Sequence, residues 1–358
     1  MNTRITSLIS MLPENADAAI IISNENRRYF TDFVSSLGYL VVTREKTYLL
    51  VDSRYEEAAG KQAKNCTVVP FRKLSDSLGD IINCHKIKNV LLEGSAFTLN
   101  DAADIDRILS EYGAVSEKSH TLDDIICKQR IIKTADETDK MLKAQRITEK
   151  ALKAVLRNIK EGMTEKDIAL DLEFIMRKSG ADSVSFDLIA LAGENTSMPH
   201  GVPSERRIKK GDLLLFDIGA TVDGYHSDMT RTYAFGYASD KVKRVYDTVL
   251  KAQLNALAAV HSGAKCSEID KAAREYIDNA GYQGLFGHST GHGVGLEIHE
   301  APSVSPKNDF ILQSGMVITV EPGIYIPGEF GIRIEDMVIV TNDGCINLAA
   351  MPKELTII

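Results

Sequence analysis

Gly211-Asp212-Leu213-Leu214-Leu215-Phe216-Asp217-Ile218-Gly219 and Gly315-Met316-Val317-Ile318-Thr319-Val320-Glu321-Pro322-Gly323 are one phrase written twice, 104 residues apart. In each, a glycine precedes an apolar run that an acid interrupts two residues before the closing glycine, Asp217 before Gly219 and Glu321 before Gly323. Short apolar runs bounded by glycine read as buried strands. The text ahead of each copy repeats as well: Gly162, Ile168 and Gly180 recur 101 residues later as Gly263, Ile269 and Gly281. Both sets read as a long helix, a glycine break and a second helix closed by glycine. Thr164 and Asp167 have the spacing of a capping box for the first of those second helices. Two helices and a strand pair, repeated in this way, predict a domain of two equivalent halves, with Asp217 and Glu321 in matching places.

Each half then turns back on itself and supplies a second acid, Asp228 after Val222-Asp223-Gly224 and Glu335 after Pro327-Gly328-Glu329. A four-residue loop over Thr221–Gly224 would set Asp217 opposite Asp228, and a three-residue loop over Pro327–Glu329 would set Glu321 opposite Glu335. Opposed residues share a sheet face with Cβ atoms only ~5 Å apart. Burying two like-charged pairs in strands as apolar as Leu213–Ile218 and Val317–Val320 costs on the order of several kcal/mol per ion unless something compensates. A bound cation is the simplest compensation. Solvated surface hairpins would need a polar face that these strands lack, and a proton shared within one dyad accounts for two acids rather than four.

Gly287-His288-Ser289-Thr290-Gly291-His292-Gly293-Val294-Gly295-Leu296-Glu297-Ile298-His299-Glu300 adds three histidines in a glycine-rich setting that lets backbone approach a bound group closely. The glycines argue for a loop or strand edge rather than a helix. Four carboxylates with one imidazole form a hard donor set suited to Mn, Co, Fe or Zn. That number of donors fits two ions ~3.5 to 4 Å apart. His200, in Pro199-His200-Gly201, reads by itself as a turn residue.

Around this core, 358 residues are enough for two domains. Strand-like runs at Ala18–Ile22, Tyr39–Val42, Tyr48–Val51 and Val90–Leu92 alternate with helix-like ones at Arg54–Ala63, Leu74–Ile82 and Ala102–Ser110, an α/β layer pattern. A change of texture places the boundary near 130, giving domains 1–129 and 130–358. Asn26-Arg27-Arg28-Tyr29-Phe30 reads as an exposed basic turn. A hydrophobic fraction of 44%, a charged fraction of 26% and a net charge of −8 describe a globular chain without the basic stripe that nucleic-acid binding needs. No apolar run approaches the ~20 residues that span a bilayer, and Met1–Met11 lacks the features of a signal peptide. Cys66, Cys84, Cys127, Cys266 and Cys345 are scattered singly, as expected of buried thiols in a reducing, cytoplasmic compartment.

Taken together, Asp217 in FDIGA, Asp228 in SDMTRT, His292 in GHGVGLEIHE, Glu321 in VEPGIY and Glu335 in RIEDMV resemble the pita-bread metallopeptidases, in particular the Xaa-Pro aminopeptidase (aminopeptidase P) and Xaa-Pro dipeptidase (prolidase) branch. The resemblance extends over the whole chain. It implies an α/β N-terminal domain like that of creatinase and prolidase, ahead of an α+β pita-bread catalytic domain with an internal pseudo-two-fold. It implies two divalent metal ions, Mn²⁺ first with Co²⁺, Zn²⁺ or Fe²⁺ as alternatives. Asp217 would serve one ion, His292 and Glu321 the other, with Asp228 and Glu335 bridging. His200, His288, His299 and Arg333 match substrate-binding and intermediate-stabilising positions. Hydrolysis would use a metal-activated water, with His299 supporting the oxyanion and Glu321 carrying the proton to the leaving nitrogen.

The implied substrates are peptides with proline second. Family dipeptidases commonly place an arginine between the equivalents of His299 and Glu321 to read a free carboxylate, whereas this chain has only Lys307 there, which tilts the expectation towards the aminopeptidase. Creatinase has the fold without metal, methionine aminopeptidase has the ligands without this N-terminal domain, and some pita-bread proteins are non-enzymatic scaffolds. The complete ligand set and the acidic charge argue against the scaffold. The resemblance also implies a homodimer, so light scattering should return twice the chain mass, and a single-chain mass would refute it.

Overall fold

A computed structural model describes residues 3–358, which fall into two compact units divided between Arg130 and Ile131. The first unit is built on a six-stranded mixed sheet in the order β4-β3-β2-β1-β5-β6, from β1 (Ala18–Ile21), β2 (Tyr39–Thr43), β3 (Thr47–Val51), β4 (Thr67–Pro70), β5 (Asn89–Leu92) and β6 (Val115–Glu117). Its helices are α1 (Thr3–Met11), α2 (Asn24–Thr31), α3 (Glu56–Gln62), α4 (Leu74–His85), α5 (Leu99–Glu111) and α6 (Thr121–Arg130). Every residue of β1 is buried, as befits a central strand covered on both faces.

Asn26–Phe30 departs from its expected place. It lies on α2, whose start is capped by the Ser23 hydroxyl accepting from the Asn26 N–H, and Arg27 is only 2% exposed. The Arg27 guanidinium donates to the carbonyls of Ile22 and Ser35, to the Ser35 hydroxyl and to the Asn24 side chain. A basic residue with that many acceptors is buried at little cost, which a linear reading of charge misses. The cysteine expectation also needs correction: no disulfide forms, but Cys84 and Cys127 are exposed.

The second unit contains the repeat. Helices α7 (Ala135–Leu156) and α8 (Glu165–Lys178) are echoed by α9 (Asp240–Ala258) and α10 (Cys266–Ile277). Gly162, Gly180, Gly263 and Gly281, the glycines that punctuate both pairs, all have positive φ, where a side chain would be strained. The Thr164–Asp167 capping box is present at α8. After each helix pair comes a strand trio with the acid-bearing strand in the middle. In the first half β9 (Leu213–Ile218) lies between β8 (Ile189–Ala192) and β12 (Met229–Ala234). In the second, β15 (Val317–Val320) lies between β13 (Gly291–Gly293) and β18 (Asp336–Val340), in a sheet extended by β14 (Glu300–Val304) and β19 (Cys345–Asn347). Small ribbons complete the halves: β10 (Ala220–Val222) with β11 (Tyr225–His226) and β7 (Ser183–Val184), and β16 (Gly323–Ile326) with β17 (Phe330–Arg333). Among the described residues no helix is long and apolar enough to cross a membrane.

The two hairpins differ in register. In the second, Gly323 pairs with Arg333 and Val320 with Asp336, so Glu321 faces Glu335 as the spacing predicts. In the first, Val222 pairs with Tyr225 across a turn of only Asp223 and Gly224, at φ 48° and 77°. Two positive-φ residues make the tight turn that suits a twisted ribbon, and they shorten the expected loop by two residues. Asp217 therefore pairs with Thr230, and Asp228 sits two residues earlier on the same face as a diagonal neighbour.

The halves meet where β12 runs beside β18. The Glu335 N–H donates to the Thr230 carbonyl at 3.1 Å, and behind that contact lies a buried ion pair, Arg231 Nη2 to Asp336 Oδ1 at 2.7 Å. The remaining Arg231 donors reach the carbonyls of Thr230, Glu335, Met351 and Pro352. Asp336 Oδ2 accepts from Gln253, Asn347 and Lys353. Strand alternation puts Thr230 and Glu335 on one side of this seam and Arg231 and Asp336 on the other. Replacing Arg231 with Met leaves Asp336 with Lys353 as its one cation; a loss of about 3 kcal/mol or more is expected in denaturant unfolding of the whole chain.

Candidate metal centre

A cavity of about 600 Å³ opens in the second unit. Phe186, Leu188, Ile189, Val202 and Ile298 give it apolar walls, and all nine residues singled out in the sequence line it: Asp217, Asp228, His292, Glu321, Glu335, His200, His288, His299 and Arg333. Asp217 comes from β9, Asp228 from the residue before β12, His292 from β13, and Glu321 and Glu335 from the ends of β15 and β18. Donor atoms of Asp228, His292 and Glu335 all lie within 4.8 Å of one another. His292 Nε2 is 3.6 Å from Asp228 Oδ2 and 3.5 Å from Glu321 Oε1. Its Nδ1 faces the Gly293 carbonyl at 3.0 Å, which places the proton there and turns the Nε2 lone pair towards the acids.

Burial and mutual repulsion shape the charges. Burial, then the charges of Asp217 and Glu321, push the Asp228 carboxyl well above its usual range. Burial also raises Glu321 to about 8, against the pull of Arg333. Glu335 is raised well above the ordinary range by burial and then by Asp228, Glu321 and Asp217. Burial lowers His292 to about 4, so at neutral pH it offers a neutral lone pair rather than a counter-charge. Arg333 is the one guanidinium in the cavity, and its Nη2 is committed to Asp217 Oδ2 at 2.6 Å. The other oxygen, Asp217 Oδ1, is buried without a hydrogen-bond partner. Four acids, one neutral imidazole and an orphaned carboxylate oxygen on residues lining one cavity fit divalent cations of the hard, oxygen-seeking kind.

Two neighbours escaped the sequence reading. The Thr230 hydroxyl donates to Glu335 Oε2 at 2.7 Å and accepts from Arg333 Nε at 3.1 Å. The Tyr325 hydroxyl joins Arg333 Nη1, at 2.7 Å, to His288 Nε2, at 2.9 Å. Thr230 was legible only with the correct hairpin register, because its role follows from standing opposite Asp217. Tyr325, two residues after Gly323, carried no signal beyond being a polar-tipped aromatic in a buried strand. His288 is half-buried and lowered to about 4, by burial first and then by the Arg333 charge. His200 and His299 are exposed at the cavity edge, with the His299 ring edge-on to His292 at 4.5 Å between centroids.

The family model for metallopeptidase family M24 matches residues 139–342, the stretch that carries all nine of these cavity residues. The chain belongs to metallopeptidase family M24. Residues 4–132 match the creatinase/prolidase N-terminal domain. An Xaa-Pro dipeptidase of Pyrococcus furiosus is 38% identical to this M24 chain, over 99% of the chain and 100% of the relative. The structure of an Xaa-Pro dipeptidase from Bacillus anthracis superposes with a TM-score of 0.93 at 38% identity, covering 99% of each chain. That of an X-Pro aminopeptidase from Thermotoga maritima does so with a TM-score of 0.91 at 35% identity, covering 99% of this chain and 100% of that one. This M24 protein is thus a hydrolase of the metallopeptidase class, in a family that works with divalent metal.

The raised carboxyls tie metal, proton and stability together. Glu321 holds its proton in the metal-free fold up to about 8 but releases it near 4.5 when unfolded. The unfolded chain is therefore favoured as pH rises between those values, and stability present below 4.5 is lost by about 8. Metal-free protein should melt at progressively lower temperature across that window, while Mn²⁺ affinity measured by calorimetry should rise as protons no longer need displacing.

Proposed function

We propose that this M24 enzyme hydrolyses Xaa-Pro bonds, with Xaa-Pro dipeptides as its first substrates. What supports the reading is the convergence of the nine residues on one cavity, together with end-to-end similarity to Xaa-Pro dipeptidases. The absence of a carboxylate-reading arginine had pointed to the aminopeptidase; the relatives reverse that preference. One observation keeps the aminopeptidase as the second reading. Apart from the committed Arg333, no lysine or arginine among the described residues lines the cavity, and Lys307 is exposed and outside it.

In the proposed division of labour two divalent cations would be held by Asp217, Asp228, His292, Glu321 and Glu335, with Asp217 serving one, His292 and Glu321 the other, and Asp228 and Glu335 shared. Two divalent cations, Mn²⁺ first, would acidify a shared water and polarise the scissile carbonyl. Arg333 holds Asp217 in place through its Nη2, and Thr230 orients Glu335. Glu321 accepts the proton of the attacking water and passes it to the departing proline nitrogen. His299 donates a hydrogen bond where negative charge grows on the former carbonyl oxygen, and His200 and His288 hold the peptide on the opposite side. An Xaa-Pro bond has no N–H and a fixed φ, so enzymes that bind substrate as a hydrogen-bonded strand handle it poorly. A site that grips the carbonyl and encloses the ring in apolar walls has no need of that N–H.

The deciding assay compares Gly-Pro with Gly-Pro-Ala, using metal-stripped protein with and without Mn²⁺. Metal-dependent cleavage of Gly-Pro alone is the expected result. Cleavage of the tripeptide in preference would make the enzyme an aminopeptidase, and inertness towards both would overturn the proposal.

A further inference from the structure

We propose that Lys133 is a positioning residue for His299, acting through a buried ion pair with Glu300; the inference rests on the peptide-hydrolysis reading given above. His299 is exposed on the cavity wall, and among the described residues its ring makes no hydrogen bond. Its one ring contact among them is the edge-on approach to His292 at 4.5 Å between centroids, so its aim depends chiefly on its backbone. That backbone closes the segment between β13 and β14, and Glu300 is the next residue.

The Glu300 carboxylate is folded inward under this segment. Its Oε1 accepts from the Glu297 N–H at 3.2 Å, and a Cβ placed on Gly295 would lie 2.6 Å from both carboxylate oxygens. Gly295 is thus a glycine because Glu300 packs onto its backbone. Lys133 Nζ reaches Glu300 Oε2 at 2.9 Å, and the two side chains are 2% and 7% exposed. Lys133 is itself fixed: its N–H donates to the Gly315 carbonyl at 2.9 Å, and Ile132 bridges to Met316 at the foot of β15. One cation therefore ties the segment bearing His299 to the base of the strand that leads to Glu321. A buried pair of this kind is weak evidence of stability for its own sake, since apolar residues of equal volume would serve as well; what it supplies is direction.

The test is Lys133→Met with Lys133→Arg as rescue, each made in the wild-type and His299→Ala backgrounds. With rates expressed per metal-loaded protein, Lys133→Met should lower kcat by about tenfold or more while KM moves little, and Lys133→Arg should recover most of it. In the His299→Ala background Lys133→Met should cost nothing further, because both changes remove the same contribution. Multiplying losses in the double variant would reduce Lys133 to a structural lysine and overturn the inference. A second readout needs no substrate: in zinc-loaded protein labelled with ¹⁵N-histidine, the His299 ring resonances should move in Lys133→Met and return in Lys133→Arg, with those of His200 unchanged. Unmoved His299 resonances would also overturn it. If wild-type protein cleaves neither peptide, the proline-peptidase reading fails by itself, and the ring resonances still decide the role of Lys133.

Discussion

Carboxylates brought together away from water repel, and the catalytic unit is organised around that repulsion. Asp217, Asp228, Glu321 and Glu335 crowd one cavity, and the strands β9 and β15 that lead to Asp217 and Glu321 are largely apolar and buried. Among the described residues only Arg333 lines the cavity with a positive charge, and it is spent largely on Asp217. The remaining imbalance is the physical reason the cluster suits divalent cations. It also explains why so much polar machinery surrounds it. Thr230 and Tyr325 satisfy what Arg333 and Glu335 leave open, and Arg231 with Asp336 holds the two strands in place from behind. A buried charge without such partners would have been replaced by a neutral side chain at lower cost.

The same logic accounts for the small asymmetry between the halves. A two-residue turn in the first hairpin and a three-residue turn in the second would be unremarkable in a surface ribbon. Here the turn decides which residue faces which. The tighter turn moves Asp228 off the position opposite Asp217 and installs Thr230, a neutral hydroxyl that links Glu335 to Arg333. Direct opposition is kept only for Glu321 and Glu335, whose longer side chains can diverge. Shorter acids lie on the diagonal, longer ones face each other, and all reach the same volume.

Much of this was legible because it is periodic. Repeated glycines and apolar runs carry their meaning locally, so the helix pairs, the acid-bearing strands and the second hairpin follow from spacing. Features set by a distant partner did not. Nothing near Arg27 announces that Ile22 and Ser35 will supply carbonyls to it, and a run of Asn and Arg accordingly looks exposed. The first hairpin failed by two residues because both Asp223 and Gly224 take positive φ, which Gly224 suggests and Asp223 does not. Tyr325 and Lys133 matter through contacts with His288 and Glu300, which lie far from them in sequence. Cys84 and Cys127 look like any isolated thiol until the helices carrying them are placed.

The acids and the imidazole of the candidate centre span the chain from residue 217 to residue 335 and are divided between the two halves. Each half brings only part of the set, and the seam that unites them depends on the carbonyls of Met351 and Pro352, still further along. Loop closure over distances of this length is a late and entropically costly event in folding. Cations held by these residues would accordingly find no complete site to nucleate and could only select the finished fold. They would act as a thermodynamic clamp whose strength grows with the logarithm of free metal. Metal supply would then bear on how long the folded enzyme persists, in addition to how fast it works.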